Sequence, residues 1–412
     1  MTDNGDTRGA GGAAGTGDTG DATATGPLAG LKVLELGSLI AGPFCGRLLA
    51  DFGATVIKIE PPEGDALRTW SLVTEHGSLW SMVQSRNKQS ITADMRTDEG
   101  RAVVKAMAAD CDVLIENFRP GRMEQWGLGY DDLQEANPGL IMVRISGYGQ
   151  TGPSRDKPGF GNIAEAMGGI RFVTGWPDRP PVRIGLSLAD SIAALYGTIG
   201  TLMALHERRA SGLGQVVDVA LTEGVFSLLE AILPEYGFDG RTRQRTGNTL
   251  NGAAPSNVYI TADGKHLAIG ANGDSIFRRL AVAMEQPGLA DDERFCSNQA
   301  RRDNVRELDE LISAWVGSLP LASAKAALDG VDVPAGPVYS IADIVSDLQY
   351  QARDMIVEVP DERMGTILMP GIVPRLDRTP GSIRWAGPEL GRHNDEIKGQ
   401  LDLLAGAEET PA

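Results

Sequence analysis

Short apolar runs alternate with amphipathic segments in the first third of the chain, and this alternation predicts strands joined by helices. The runs LKVLEL (residues 31–36) and TVIKIE (residues 55–60) are bounded by glycine and proline, as buried strands are, and a helical segment lies between them. A strand, a helix and a second strand form a right-handed unit with parallel strands. The alternation continues to about residue 150, with a helix near residues 97–109 and the strands DVLIENF and LIMVRISGYG.

The pattern changes near residue 255. The stretch VYITADGKHLAIGA predicts a hairpin that turns at Asp263 and Gly264, and polar helical segments follow from residue 274 to about 328. We therefore predict an α/β fold with a Rossmann-like, doubly wound parallel sheet and a second, smaller α+β domain. The predicted division is a disordered tail (1–26), a large domain (27–220), a linker and small domain (221–345), and a return segment whose C-terminal helix packs on the large domain (346–412).

One long apolar stretch, RIGLSLADSIAALYGTIGTLMAL (residues 183–205), contains a single acid, Asp190. It predicts a helix from Ser191 to about Arg208. Asp190, Ser191 and the glycines interrupt the apolar run, so a buried helix is favoured over a membrane span. Position alone favours Asp190 as the helix N-cap, with nucleophilic catalysis as the alternative. Small residues along the helix indicate close packing in the core, or a subunit contact.

Charge and cysteine content narrow the function classes. The formal net charge is −17, which argues against nucleic-acid or membrane binding but leaves room for an anionic ligand in a locally basic pocket. Cys45, Cys111 and Cys296 form no CxxC pair and are odd in number. We therefore expect buried free thiols and a cytoplasmic location. The N-terminal residues lack the apolar core of a signal peptide.

The commonest cofactor motifs do not fit. The glycines after the first predicted strand are Gly37, Gly42 and Gly46, a GxxxxGxxxG spacing rather than GxGxxG, although Glu60 ends the second strand. This spacing disfavours NAD and favours another ligand that carries a nucleotide. The four histidines are scattered, without an HExxH motif, and are expected to face solvent. We predict no metal site, and no P-loop supports ATP chemistry.

Several phrases, read together, resemble the class III CoA-transferases, which include formyl-CoA, carnitine and dicarboxylate CoA-transferases. The resemblance runs from about residue 28 to about residue 404 in the family's order and spacing. It is carried by LAGLKVLELGSLIAGPFCGRLLADFGATVIKIEPPEGD, IENFRPG, ISGYGQTGP, PVRIGLSLADSIAALYGTIGTLMALHERRASGLGQVVDVAL and LGRHNDEI.

The resemblance implies that Asp190 is the nucleophile, and that CoA moves from an acyl-CoA donor to a free carboxylic acid through anhydride and aspartyl-CoA thioester intermediates. Acyl-CoA would be a substrate, with no permanently bound cofactor. Dicarboxylates, with succinyl-CoA as donor, are the expected substrates. Family members form homodimers whose two chains interlock, so we expect the same assembly here.

Residues for CoA follow from the same resemblance. Residues 247–254 are a candidate mobile loop over the site. Basic residues that hold CoA phosphates in formyl-CoA transferase are replaced here by Pro61, Gln125 and Pro158, which leaves Arg68, Arg96, Arg119 and Arg122 as candidates. The expected CoA contacts are Ile40, Ala41, Ala93, Asp94, Met95, Arg96, Asn117, Phe118, Arg119, Phe160 and Gly161.

One further acid and two alternative functions stay open. Some relatives carry an acid where this chain has Gly161. Glu165 could replace it, although a solvated helix face is the expected place for Glu165. An alpha-methylacyl-CoA racemase would need a His in a GHD phrase, where this chain has PGFGN with Phe160. A catalytically inactive nucleotide-binding scaffold is the second alternative.

Overall fold

A six-stranded parallel sheet forms the centre of the fold. A computed structural model of the chain describes residues 25–399, so the predicted disordered tail lies almost wholly outside the described residues. The first part of the chain forms β1 (Lys32–Glu35), α1 (Ala41–Asp51), β2 (Thr55–Glu60), β3 (Val73–Thr74), β4 (Gly77–Ser78), α2 (Leu79–Gln84), β5 (Lys88–Thr92), α3 (Asp98–Ala108), β6 (Val113–Glu116), α4 (Arg122–Gln125), α5 (Tyr130–Gln134), β7 (Ile141–Ser146), α6 (Gly161–Met167), α7 (Ile170–Val173), α8 (Leu188–Ser211), β8 (Val216–Ala220), α9 (Leu221–Phe226) and α10 (Ile232–Asp239).

The strand order identifies where a ligand binds in such a sheet. The order is β5-β2-β1-β6-β7-β8, and every pairing in this sheet is parallel. Counted along the chain within this sheet, this is the order 3-2-1-4-5-6 of the Rossmann fold, which reverses direction between β1 and β6. The prediction of an α/β fold with a parallel sheet is confirmed. Ligands of such sheets bind at the carboxyl ends of the two strands that flank the reversal.

Helices cover both faces of the sheet because apolar side chains point alternately to either side of each strand. Val33 of β1 and Val143 of β7 pack with α1 and α8 in one core. Leu34 and Met142, their neighbours along the same strands, pack with α3 and α5 in the other. This two-faced burial explains why the strands read as continuous apolar runs.

Strand β5, which the apolar pattern does not predict, carries buried charge. Lys88 is fully buried and its Nζ lies 2.6 Å from Glu35 Oε2. Lys58 of β2 pairs with the other oxygen of Glu35 at 3.0 Å. A Cβ on Gly46 would lie only 2.0 Å from Glu35 Oε2, so helix α1 approaches this cluster through a glycine. The third glycine of the GxxxxGxxxG pattern thus makes room for a buried ion pair rather than for a pyrophosphate.

A separate three-stranded antiparallel sheet, β11-β10-β9, follows. The predicted hairpin is confirmed: Thr261 N donates to Lys265 O at 2.9 Å, and Gly264 has the positive φ of such a turn. The remaining elements are β9 (Ser256–Ile260), β10 (His266–Gly270), α11 (Asp274–Ala283), α12 (Asn298–Asp303), α13 (Val305–Gly317), α14 (Leu321–Asp329), β11 (Ala335–Pro337), α15 (Ile341–Ser346), α16 (Leu348–Ala352), β12 (Ile356–Asp361) and β13 (Gly365–Pro370).

The last described residues return to the large sheet and lie along its β5 edge. Ser90 N donates to Nδ1 of His393 at 3.0 Å, and Thr92 N donates to Oδ1 of Asn394 at 2.9 Å. These side chains accept from backbone groups that a further strand would otherwise pair with. The expectation that all four histidines face solvent is therefore wrong for His393. A last helix begins at Asn394, and the final part of its predicted length lies outside the described residues.

Helix α8 is longer at both ends than the sequence predicts. It begins at Leu188, its N-cap is Ser187, and Asp190 lies inside the first turn, so the N-cap role predicted for Asp190 is wrong. By length and composition α8 could cross a membrane, as could α13 and α14 taken as one bent span, within residues 25–399. Here α8 packs on α1, β7, β8, α6 and α9, as a core helix does.

The three cysteines differ in exposure. Cys45 and Cys111 are buried, as predicted, and burial is the main cause that raises the pKa of each thiol to about 12. Cys296 is exposed, contrary to the prediction. Cys296 lies between α11 and α12, far along the chain from the strands of the large sheet.

Candidate active site

A cavity of about 170 Å³ opens where the strand order reverses. The loop after β1, the loop after β6 and the loop after β7 line it, together with the start of α8. Most of the predicted site residues meet here. Those that line the cavity are Ile40, Ala41, Asn117, Phe118, Arg119, Phe160 and Asp190.

Glycines let the loop after β1 pass close to helix α1. A Cβ on Gly37 would lie 2.9 Å from the Cα of Gly42, and one on Gly42 would lie equally close to Gly37. Asn117 fills the remaining space: its Oδ1 accepts from Ser38 N at 2.8 Å and its Nδ2 donates to Ser38 O at 2.9 Å. Asn117 therefore joins the carboxyl ends of β1 and β6 and fixes the width of the cavity floor.

A buried carboxylate holds the same loop from the other side. Leu39 has a positive φ of 62°, unusual for a leucine, and its N–H donates to both carboxylate oxygens of Asp65 at 3.0 and 3.1 Å. Lys58 Nζ lies 2.9 Å from Asp65 Oδ2. The Lys58 charge lowers the pKa of Asp65 against the effect of its own burial. Asp65 is thus an anionic acceptor that keeps Leu39 in a strained turn beside the ligand space.

The loop after β6 is held in a similar way. Glu116, the last residue of β6, accepts from Phe118 N at 2.7 Å and from Arg144 Nε at 2.7 Å. Arg144 also reaches Glu124 at 2.6 Å. This chain of ion pairs fixes the backbone that presents Phe118 and Arg119 to the cavity. Neither Asp65 nor Glu116 is predicted from the sequence as a site residue, although a carboxylate just after or at the end of a strand is a usable signal.

Asp190 lies in the first turn of α8, near the positive end of the helix dipole. Burial is the largest cause that raises the pKa of its carboxyl from 3.8 to about 6, and repulsion by Glu165 is the next. A backbone hydrogen bond and Arg183 act in the opposite direction. The carboxylate is therefore ionised at neutral pH but held where its charge is poorly solvated, as in a reactive nucleophile.

Two residues of α6 lie against this carboxylate. A Cβ on Gly161 would lie 2.0 Å from Asp190 Oδ2, so only glycine leaves room for Asp190 in its present position. Glu165, one turn further on, is fully buried, and its Oε2 accepts from Arg171 Nη2 at 3.2 Å. The expectation of a solvated Glu165 is wrong, because helix α6 turns this face toward α8 and Arg171 reaches it from α7.

The remaining predicted CoA contacts lie further along the same edge. Ala93, Asp94, Met95 and Arg96 follow β5, two strands away from β1, and do not line the cavity around Asp190. Arg96 pairs with Asp94 at 2.7 Å and with Glu63 at 3.3 Å. These four residues stay a prediction for the adenine end of CoA.

Two of the candidate phosphate ligands are already engaged. Arg68 forms two hydrogen bonds of 2.7 Å to the carboxylate of Glu60. Arg122 donates to Gln125 at 3.2 Å and lies over the ring of Trp126. Glu60, which a dinucleotide site would use for a ribose, thus binds an arginine side chain instead.

The cavity is locally basic, a possibility that the net charge of the chain leaves open but does not predict. Arg119, Arg155 and Lys157 line it, and Asp190 is the one acid among its lining residues as the structure describes them. Arg155 and Lys157 come from the loop between β7 and α6, and no sequence argument singled them out. The sequence feature that could have identified them is a pair of basic residues in a loop after a predicted parallel strand.

Other predicted features lie elsewhere. None of residues 247–254 lines the cavity within this chain. Gly247 N donates to Gly175 O at 2.9 Å, and Asn298 Nδ2 donates to Gly252 O at 3.0 Å, so the segment is held at both ends. Within residues 25–399 no three His, Cys, Asp or Glu side chains cluster in a way that could hold a metal ion.

The comparison with known proteins decides the family. Residues 28–394 match the model of CoA-transferase family III. The chain belongs to CoA-transferase family III. This confirms the resemblance read from the sequence.

Similar proteins agree with this assignment. The transferase is 54% identical over 373 residues to a protein named succinyl-CoA–D-citramalate CoA-transferase of Chloroflexus aurantiacus, a match that covers 90% of this chain and 93% of the relative. It is 36% identical over 388 residues to the succinate–glutarate CoA-transferase of Agrobacterium fabrum, covering 92% and 96%. A crystal structure of a CAIB/BAIF family protein from Brucella suis matches with a TM-score of 0.83 and 36% identity, covering 92% of this chain and 100% of that one.

The predicted activity is therefore confirmed at the level of the reaction. The enzyme is a class III CoA-transferase that moves CoA between carboxylic acids. Acyl-CoA is its substrate, and not a resident cofactor. The racemase and the inactive scaffold, the two alternatives left open by the sequence, are set aside by the same relatives.

Proposed function

We propose that Asp190 is the nucleophile that carries CoA between two acids. The observation that carries this proposal is the placement of the Asp190 carboxylate, the one acid among the described lining residues, in a basic cavity at the strand-order reversal. Its raised pKa of about 6 makes it a stronger nucleophile than an ordinary carboxylate while leaving it ionised at pH 7.

Each half of the reaction then balances. The Asp190 carboxylate attacks the thioester carbonyl of the donor, the C–S bond breaks, and CoA leaves as a thiolate from a mixed anhydride. The thiolate attacks the aspartyl carbonyl, releases the donor acid as a carboxylate and leaves an aspartyl-CoA thioester. The acceptor carboxylate repeats these two steps in reverse order and restores ionised Asp190. One thioester replaces another, so no ATP is consumed.

The cavity has the charge that such a substrate requires. CoA carries phosphates, and a dicarboxylic acyl group adds a distal carboxylate. Arg119, Arg155 and Lys157 face this space in a protein whose net charge is −17. We assign these cations to the anionic groups of acyl-CoA, with Ile40, Ala41, Asn117, Phe118, Phe160 and Gly161 along the pantetheine arm and residues 93–96 at the adenine end.

The substrates we propose are succinyl-CoA as donor and a C4–C5 dicarboxylate as acceptor. The relatives support this choice, since their names pair succinyl-CoA or succinate with citramalate, malate or glutarate. The 54% identity to the citramalate enzyme makes D-citramalate the first acceptor to test. We place the reaction in the cytoplasm, which fits three free thiols.

We further propose an interlocked homodimer. The outward face of α8 exposes a stripe of apolar side chains: Leu195 (47% exposed), Ile199 (45%), Leu202 (45%) and Met203 (67%). A stripe at this spacing covers one side of a helix and is costly to leave in water. A second copy of the chain would cover it. The net charge of −17 argues against anionic lipid as the alternative cover.

The proposal is tested by trapping the intermediate. Purified enzyme is incubated with succinyl-CoA, treated with hydroxylamine and digested for mass spectrometry. We expect a hydroxamate on Asp190 and transfer of CoA to D-citramalate. Asp190→Asn should abolish both, whereas Asp178→Asn, at an exposed acid before α8, should change neither. A wild-type enzyme that exchanges CoA with no modification at Asp190 contradicts the mechanism. A panel of dicarboxylate acceptors, none of them used, contradicts the substrate class.

A further inference from the structure

Glu165 is a buried acid for which the reaction steps above have no use. Its side chain is fully buried on α6. Oε2 accepts from Arg171 at 3.2 and 3.4 Å, and Arg183 Nε lies 3.8 Å away. Oε1 has no hydrogen-bond partner among the described residues. A buried carboxylate with one unsatisfied oxygen costs free energy, so such a group persists where it has another role.

The helix that carries Glu165 touches the nucleophile directly. Gly161 precedes Glu165 by four residues and therefore lies on the same face of α6. A Cβ at Gly161 would lie 2.0 Å from Asp190 Oδ2, so this face abuts the Asp190 carboxylate. Glu165 lies one turn along the same face, and its charge acts on Asp190 through dry protein. Repulsion between the two carboxylates is the second cause, after burial, of the raised pKa of Asp190.

The charged groups near the two carboxylates come from α6, from α7, from the segment that leads into α8, and from the cavity that Asp190 shares with Arg119, Arg155 and Lys157. Glu165 comes from α6, Arg171 from α7, and Arg183 from the segment that leads into α8. Arg171 is mostly buried with Glu165, whereas the Arg183 side chain is 52% exposed and acts on Asp190 in the opposite direction. Water screens the charge of the exposed Arg183 more than the charge of the buried Glu165. The repulsion of Asp190 by Glu165 is therefore stronger than its attraction to Arg183.

The state of Asp190 changes this repulsion during the reaction. Ionised Asp190 faces the Glu165 charge, whereas the anhydride and the aspartyl-CoA thioester are neutral at Asp190. We infer that Glu165 is a positioning residue whose buried charge raises the free energy of ionised Asp190 relative to its neutral acylated forms, and so favours formation of the aspartyl-CoA thioester. This inference rests on the proposed role of Asp190 as nucleophile. It assigns Glu165, whose Oε1 has no hydrogen-bond partner among the described residues, a role that binding of CoA does not require.

The test compares how much aspartyl-CoA thioester forms at equilibrium. Wild-type enzyme and Glu165→Gln are mixed with succinyl-CoA and succinate at fixed ratios, and the ratio of thioester to free enzyme is read from intact mass. We expect the ratio to fall at least tenfold in Glu165→Gln, and the acid limb of kcat/KM to move to lower pH. Glu165→Asp, which keeps the charge, should restore most of the ratio. Glu223→Gln, at an exposed acid on α9, serves as the control.

Removing one partner of a buried ion pair can prevent folding. The double variant Glu165→Gln/Arg171→Met removes both charges, and the same fall in the thioester ratio is expected from it. An unchanged ratio and an unchanged acid limb in a folded variant overturn the inference while the thioester on wild-type Asp190 still stands. Absence of any thioester on wild-type Asp190 overturns the proposed mechanism, and the inference with it.

Discussion

In its proposed role as nucleophile, Asp190 must meet two opposite demands, because a nucleophilic carboxylate must be ionised and yet must not be well solvated. Burial and the Glu165 charge raise its pKa to about 6. Since only the ionised form attacks a thioester, kcat/KM for succinyl-CoA should rise with pH through about 6 and level off by pH 7.5. A pH profile measured on free enzyme with limiting substrate tests this. A flat profile down to pH 4.5 would contradict the assignment.

The same raised pKa predicts that the active site costs stability. An acid whose pKa is higher in the folded state destabilises the protein at every pH above that value, and the cost disappears below its unfolded-state value of 3.8. Asp190→Asn should therefore raise the free energy of unfolding at pH 7 by up to about 3 kcal/mol. Denaturant melts at pH 7 and pH 4 measure the gain, which should shrink at the lower pH. Asp178→Asn should show no such gain.

The contact of Gly161 with Asp190 makes a further residue-scale prediction. A methyl group at Gly161 would overlap Asp190 Oδ2, so Gly161→Ala must displace the carboxylate. A displacement of about 1 Å costs about 100-fold in rate when geometry is critical, so kcat should fall at least that far. Gly185→Ala is the matched control, because nothing lies within 4 Å of its new Cβ. Equal activity of the two variants would show that Asp190 tolerates movement.

At the scale of elements, the edge strand β5 depends on a histidine being neutral. Nδ1 of His393 accepts from Ser90 N, and burial is the main cause that lowers the pKa of His393 below 6.5. A group with a lowered pKa binds its proton more weakly when folded, so its contribution to stability is complete above pH 6.5 and is lost as pH falls below it. Thermal melts from pH 7.5 to 5 should show this loss in wild type. His393→Asn, which keeps an acceptor that does not titrate, should lack that step.

The sequence predicts those helices and strands whose buried residues are apolar. The apolar run at residues 55–60 became β2 (Thr55–Glu60), and the apolar stretch around Ala193 became α8. The apolar pattern does not predict strand β5, because its inward-facing residues are Lys88 and Ser90. Their burial depends on acids of other strands, Glu35 for Lys88 and Glu60 for Ser90. Side chains that are buried by a distant partner leave no local apolar period to read.

Some residues of the candidate site could be predicted from the sequence, and others depend on distant partners. The strand-end residues Ile40 and Asn117 were expected from the resemblance, and the strand order brings them together. The burial of Glu165 could not be predicted, because it depends on Arg171 reaching it from the next helix. In the sequence, Gly161 only marks the position where some relatives carry an acid. In the structure, the absence of a side chain at Gly161 leaves the room that the Asp190 carboxylate occupies.

At the scale of the whole molecule, charge is distributed unevenly. The chain has a net charge of −17, whereas three cations and one acid line the cavity. A basic cavity in an acidic surface concentrates field lines at its mouth and discourages anions from binding elsewhere. We expect selectivity for an anionic thioester to come from this contrast between the site and its surroundings. The apolar stripe of α8, by comparison, is exposed in the single chain.

That stripe leads to the last prediction. Two charges placed on it, in the variant Ile199→Glu/Met203→Glu, should prevent a second copy from covering α8, because each glutamate would be buried without a partner. Sedimentation velocity at micromolar concentration should give a dimer for wild type and a monomer for the variant, and specific activity should fall at least tenfold with dissociation. Val282→Glu, at a half-exposed apolar residue on α11, should stay a dimer. A wild-type enzyme that sediments as a monomer with full activity, or that floats with neutral lipid vesicles, would mean that another surface covers this helix.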